Sequence, residues 1–263
     1  MLYEKLFSKL EKVRWSLETD IAWDKIQPEL VSDFQKETIT NICKTEVGAL
    51  FAAEAFIRDF YDDIDFSCFV SIWYYEEMKH CLAMKKYLSY LGIEILDEEF
   101  QHMRMTVPPG DKANILMIHF LSEHRLAMWY HGISHWLQEP VGKNIFKRIA
   151  EDELRHGQGY FEYIKKDLQK VPQNLLQYLR SAMFMLSPKA PSDIHAVTIT
   201  KTTELLDDPG YIVFLNDELS SAESKQSTDK RIFSLLSILA GNLIEDYKGL
   251  SSTVKMLKRA VPA

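Results

Sequence analysis

The chain has 263 residues, enough for one large domain or two small ones with a sizeable buried core. Its formal net charge of -7 argues against a non-specific nucleic-acid binder, whose surface would be basic overall. Only 10 Gly and 9 Pro interrupt it, which favours long helices over sheet.

The three cysteines, Cys43, Cys68 and Cys81, fit neither a disulfide framework nor a Cys-based zinc spacing. They read as buried free thiols in a reducing, cytoplasmic setting. The opening stretch MLYEKLFSKLEKVRW lacks the apolar centre of a signal peptide. No apolar run is long enough to span a bilayer, so no membrane association is expected.

Apolar residues recur at helical period through most of the chain. A first helix is expected near 2–18, then an irregular lead-in at 19–34 containing Trp23 and Pro28. Helices at about 37–61 and 65–91 flank the acidic turn Asp62-Asp63-Ile64-Asp65. Gly92 is placed to close the second of these as a C-cap. A connection of roughly twenty residues ends in Pro108-Pro109-Gly110, a length that suits a crossover along a helical bundle. A third helix is expected from Asp111 to Gln138, a break at Pro140 and Gly142, and a fourth helix to Lys170.

Further helices are expected near 173–186 and 229–259, with a turn at Asp207–Gly210 and a polar loop at 218–228. The whole, 1–263, reads as a single all-α domain: a metal-binding bundle over about 37–170 and a helical extension over about 173–263.

Two stretches, Glu77-Met78-Lys79-His80 and Glu153-Leu154-Arg155-His156, are Glu-x-x-His on expected helices. Residues three apart share a helix face, so each pair presents one oxygen and one nitrogen donor together. Alone the pattern is weak: random placement of 21 Glu and 8 His yields about 0.6 matches, and a third match, Glu99 to His102, exists. The turns supply the test.

Glu46 precedes Glu77 by 31 residues and Glu123 precedes Glu153 by 30. The midpoint of the first pair is the acidic turn, and that of the second is Gln138, beside Pro140. Each lone glutamate therefore faces its own Glu-x-x-His across an antiparallel hairpin, about fifteen residues or roughly 23 Å from the turn. Glu99 has Cys68 at the matching position and is set aside as chance; Glu54, the competitor of Glu46, sits at the wrong depth.

Four carboxylates and two imidazoles with open positions suit iron or manganese, whereas structural zinc prefers thiolates. Four buried glutamates without a cation would carry a large desolvation and repulsion cost. The expected metal ligands are thus Glu46, Glu77, His80, Glu123, Glu153 and His156. Of the other histidines, His119 is expected in the core one turn before Glu123, and His124, His131 and His135 are expected to be structural or exposed.

With these residues in view, the chain resembles the ferritin-like di-iron carboxylate proteins. Asp152-Glu153-Leu154-Arg155-His156 looks like their Asp-Glu-x-Arg-His signature, and Glu76-Glu77-Met78-Lys79-His80 like their Glu-Glu-x-Arg-His with Lys79 for Arg. Trp73, Lys86-Tyr87-Leu88 and Leu91-Gly92 are similar to the soluble acyl-carrier-protein desaturases, and the likeness covers about residues 20–190.

The resemblance implies a ferritin-like four-helix bundle with a long crossover and extra helices at both ends. It implies two iron ions (or a manganese–iron pair) bridged by Glu77 and Glu153, with Asp152 hydrogen-bonded to His80. The implied activity is oxygen-dependent oxidation of an apolar or acyl-type substrate, small or carrier-bound, with electrons from a ferredoxin or reductase. The alternative is ferroxidase, iron handling or peroxide scavenging, and relatives are often homodimers.

Two departures stand out. Leu126 and Ala127 occupy the place of the desaturase threonine, and Met84 that of the radical tyrosine of ribonucleotide reductase. Lys143, Lys147, Arg148, Lys165 and Lys166 form either a patch for an acidic carrier or RNA, or a solvated helix face.

Overall fold

A computed structural model describes residues 1–101, 107, 109–187 and 214–260. It is all-helical, and no strand occurs among the described residues. Helices α1 (Leu2–Leu10), α2 (Asp33–Glu46), α3 (Gly48–Asp59), α4 (Ile64–Tyr90) and α5 (Asp97–Gln101) come first. They are followed by α6 (Lys112–Trp136), α7 (Pro140–Lys170), α8 (Leu175–Met185), α9 (Ala222–Ala240) and α10 (Tyr247–Ala260).

The long segments begin on side-chain caps, as the sequence chemistry requires for orphan N–H groups. Ser32 and Gln35 form a reciprocal capping box on α2, and Asp63 caps α4 through the Phe66 amide at 3.1 Å. Asp111 caps α6 at 3.1 Å. Glu139 caps α7 through the amides of Val141 and Gly142, at 3.1 and 2.6 Å. Gly92 adopts φ +80° after α4, as a C-terminal cap demands.

Several expectations are corrected. Helix α1 stops at Leu10 rather than near 18, because the chain turns to bury Trp15 against Asp152. The expected 37–61 helix is two, α2 and α3, parted at Val47 directly after Glu46. The expected break between the third and fourth helices falls at 137–139, and Pro140 and Gly142 lie inside the fourth, which Pro140 starts at the position where its missing N–H costs nothing. Within the polar 218–228 stretch, α9 starts at Ala222 on a Ser221 cap. The last expected helix is split at Gly241 into α9 and α10. The Asp207–Gly210 turn lies outside the described residues.

The end contacts fix directions. Lys112, which opens α6, pairs with Asp62, and Lys166 near the end of α7 contacts Asp63 and Asp65 at 3.2 and 2.8 Å. Helices α4 and α6 thus start where α3 and α7 finish. The connection after α4 begins at the opposite end. It finishes beside the turn, where the Gly110 amide donates to Asp59 at 3.0 Å and Arg58 donates to the Val107 carbonyl at 2.7 Å. The described ends of this connection are therefore separated by the length of α4, about 40 Å for 27 residues.

Two apolar cores lie along this axis. One, near the acidic turn, includes Phe56, Phe66, Phe120, Tyr160 and Tyr163, and takes Leu179, Phe233 and Leu250 from α8, α9 and α10. The other, towards the Pro140 end, includes Trp15, Ile39, Cys43, Met84, Tyr87 and Ile145. Between them is a layer of buried charge.

Candidate metal centre

That layer holds all six residues that the hairpin spacing selects: Glu46 from α2, Glu77 and His80 from α4, Glu123 from α6, and Glu153 and His156 from α7. Every one is buried. They form two groups of four whose donor atoms lie within 4.8 Å of one another: Glu46, Glu77, His80 and Glu153, then Glu77, Glu123, Glu153 and His156. Glu77 and Glu153 belong to both groups, so they stand between two adjacent positions, each with a lone glutamate and a histidine at its outer side. These buried Glu and His clusters could hold metal ions.

The histidines point the same ring atom inward. His80 Nδ1 lies 3.3 Å from Glu153, 3.7 Å from Glu77 and 3.8 Å from Glu46. His156 Nδ1 lies 2.9 Å from Glu77, 3.0 Å from Glu153 and 4.0 Å from Glu123. Their outer Nε2 atoms meet carboxylates: Asp152 Oδ2 at 3.0 Å from His80, and Glu76 Oε2 at 3.1 Å from His156. A carboxylate at Nε2 holds the proton there and leaves the Nδ1 lone pair facing the cluster, the tautomer a metal needs.

The lone glutamates are oriented too. Tyr130 donates its hydroxyl to Glu46 Oε1, and Trp73 donates its indole N–H to Glu123 Oε1 at 3.1 Å. In each case the second oxygen turns inward. Glu77 Oε1, Glu123 Oε2, Glu153 Oε1 and His80 Nδ1 are buried and make no well-aligned hydrogen bond among the described residues. Buried polar atoms of that kind are costly, and a cation between them would satisfy all four.

Burial, then the neighbouring carboxylates, pushes the Glu46 and Glu123 carboxyls well above their ordinary range. Burial also acts on Glu77, but its contacts with His156 and His80 outweigh it and hold that carboxyl down. Both ring histidines stay protonatable well above their usual range, since adjacent carboxylates overcome burial. Glu76 is likewise buried, yet its hydrogen bond from His156 brings it to about 2. Divalent ions bound in this layer would compete with protons for the same groups.

A second tier of cations braces the outer carboxylates. Lys79 Nζ lies 3.4 Å from Asp152 and 3.9 Å from Glu76, so lysine serves where arginine was expected. Arg155 pairs with Asp152, and Arg14 Nε lies 3.8 Å from Glu76. The Trp15 indole donates to Asp152 Oδ2 at 2.8 Å, linking the N-terminal segment to His80 through one carboxylate.

The residues set aside by spacing stay apart. Glu54 is exposed on α3, and Glu99 pairs with Lys44 at 2.5 Å. His102 lies outside the described residues. His119 packs edge-on against Phe56 at 4.6 Å and burial lowers it to about 4. His124 Nδ1 meets the Phe120 carbonyl at 2.8 Å, while His131 and His135 are exposed. Of the basic residues, Lys165 pairs with Glu162, and Lys166 with Asp63 and Asp65.

The sequence reading missed Glu76, Tyr130 and the role of Trp73. Glu76 had a signal: it precedes Glu77 as Asp152 precedes Glu153.

No protein-family model matches the sequence, and a comparison with curated proteins finds no match. Among the described residues no helix is long and apolar enough to cross a membrane.

Proposed function

We propose that the chain is an oxygen-dependent, non-haem di-iron oxidoreductase built on a ferritin-like four-helix bundle, acting on an apolar or acyl-type substrate. One observation carries the reading: two four-donor groups share Glu77 and Glu153 between them. A single structural ion would need only one group. The donor set of carboxylate oxygen and imidazole nitrogen, with no thiolate, fits iron or manganese better than zinc.

When bound, a pair of such ions supplies the electrons that reduce dioxygen and the oxidising power that removes hydrogen from substrate. The protein's own part is positional. Glu77 and Glu153 hold the two positions together, and Glu46 and Glu123 neutralise one each. Asp152 Oδ2 and Glu76 Oε2 keep the Nε2 protons of His80 and His156 on the outer side. The two apolar cores exclude bulk water from above and below.

Gly48, two residues from Glu46, is half-buried, and a Cβ there would meet nothing within 4 Å, which is compatible with an acyl chain approaching along α3. Electrons come from a separate donor such as a ferredoxin or a reductase.

The test is reconstitution with ferrous iron, exposure to oxygen with a reductant, and mass analysis of candidate acyl thioesters. The expected result is two ions per chain and a substrate that loses hydrogen or gains oxygen. Continued iron accumulation without turnover would move the reading to ferroxidase or storage, and failure to bind metal would remove it.

A further inference from the structure

Cys43 of α2 and Cys81 of α4 face each other across the interface of the two helices, Sγ to Sγ at 4.0 Å. The Cys43 sulfur is also 3.5 Å from the Cys81 carbonyl oxygen. Cys43 is fully buried and Cys81 is 7% exposed, whereas Cys68, expected to be buried, is only half-buried and lies elsewhere on α4. Cys43 sits one turn before Glu46, and Cys81 directly follows His80.

We propose that Cys43 and Cys81 are a redox-active pair that closes to an intramolecular disulfide in the presence of hydrogen peroxide. The sulfurs start in van der Waals contact and need to approach by about 2 Å to reach bonding distance. One sulfur, as thiolate, attacks peroxide and expels hydroxide, becoming a sulfenic acid. The other sulfur attacks the sulfenic sulfur, forms the S–S bond and expels water. In sum two thiols and one peroxide give one disulfide and two waters; the sulfurs lose two electrons, which the peroxide gains.

Two physical arguments favour this end point. A second thiol already in contact captures a sulfenic acid faster than a second peroxide arriving from solvent. The pair is also packed among Ile39, Ile42, Met84 and Leu88. A charged sulfinate there would carry a desolvation cost that a neutral disulfide avoids. The bond would tie α2 to α4 beside Glu46 and His80, but its formation does not depend on metal.

The experiment therefore uses metal-free, chelator-treated protein in which Cys68→Ala removes the remote thiol. After peroxide treatment and denaturation, both remaining thiols should be lost to alkylation and the intact chain should be lighter by two hydrogen atoms. Digestion should yield one reducible cross-link joining the Cys43 and Cys81 peptides. In a Cys43→Ala, Cys68→Ala chain, the lone Cys81 should instead gain oxygen or stay free. Thiols that remain alkylatable in the Cys68→Ala chain, oxygen gain without a cross-link, or cross-links between chains would each overturn the proposal. Wild-type protein, mapped in the same way, serves if the variant does not fold. Failure here leaves the metal reading untouched, because no metal is present.

Discussion

Glu76 on α4 lies 3.1 Å from the outer nitrogen of His156 on α7, and it repeats in reverse the contact that Asp152 on α7 makes to His80 on α4. Each helix thus orients the other's histidine. Since both contacts fix a ring tautomer, Glu76→Gln and Asp152→Asn should each lower metal affinity about 10- to 100-fold. The two effects should be equal in kind, with helicity retained. Competition titration against a chromogenic chelator measures them. An unchanged affinity in Glu76→Gln would deny the symmetry.

The sharing of Glu77 and Glu153 makes stoichiometry diagnostic. Glu46→Gln and Glu123→Gln each weaken one group of four, so each variant should retain one tightly held ion per chain. Glu77→Gln and Glu153→Gln weaken both groups and should leave neither ion tightly held. Metal analysis after desalting, with circular dichroism as the folding control, decides between them. Equal losses in all four variants would mean that the six residues form one indivisible site.

Depth from the turns was enough to select Glu46 over Glu54 and to dismiss Glu99, because an antiparallel hairpin converts sequence distance into height. The caps Asp63 and Asp111 and the closing Gly92 were equally open to reading. The break at Val47 was not: neither Pro nor a positive-φ Gly marks it. Trp15 was hidden for a different reason. Its acceptor, Asp152, is 137 residues away, and no periodicity carries that information. The start of helix α9 reads as a loop in the sequence because its first turns, Ala222 to Lys230, are polar. Its apolar residues, Ile232, Phe233 and Leu236, come only afterwards.

Close packing beneath the site yields a stability prediction. A Cβ at Gly157 would stand 2.6 Å from the His124 ring and 3.4 Å from the Glu123 Cβ. Gly157→Ala therefore forces α6 and α7 apart where Glu123 and His156 must converge. Overpacking of this kind costs about 1–3 kcal/mol, so the metal-free variant should unfold at lower temperature. Its metal affinity should fall as well. A thermal melt equal to wild type would show that the ring of His124 moves aside freely.

Asp65 gives the pH dependence. It accepts the amides of Leu2 and Tyr3, at 3.1 and 2.9 Å, and so caps α1 from α4; Lys166 lies 2.8 Å away. Burial opposes ionisation, but Lys166 and the two amides outweigh it and depress the carboxyl below its usual range. A depressed folded-state pKa means the contribution is complete above the unfolded value, about 3.9. It is lost as pH falls from there through the folded value. Asp65→Asn should thus cost about 1–2 kcal/mol at neutral pH, the worth of a charged helix cap. Urea unfolding of chelator-treated wild type and variant should show a constant gap from pH 7 to about 4, which then narrows on further acidification. A gap that widens with acid would mean that the charge on Asp65 opposes the docking of α1, contrary to the geometry.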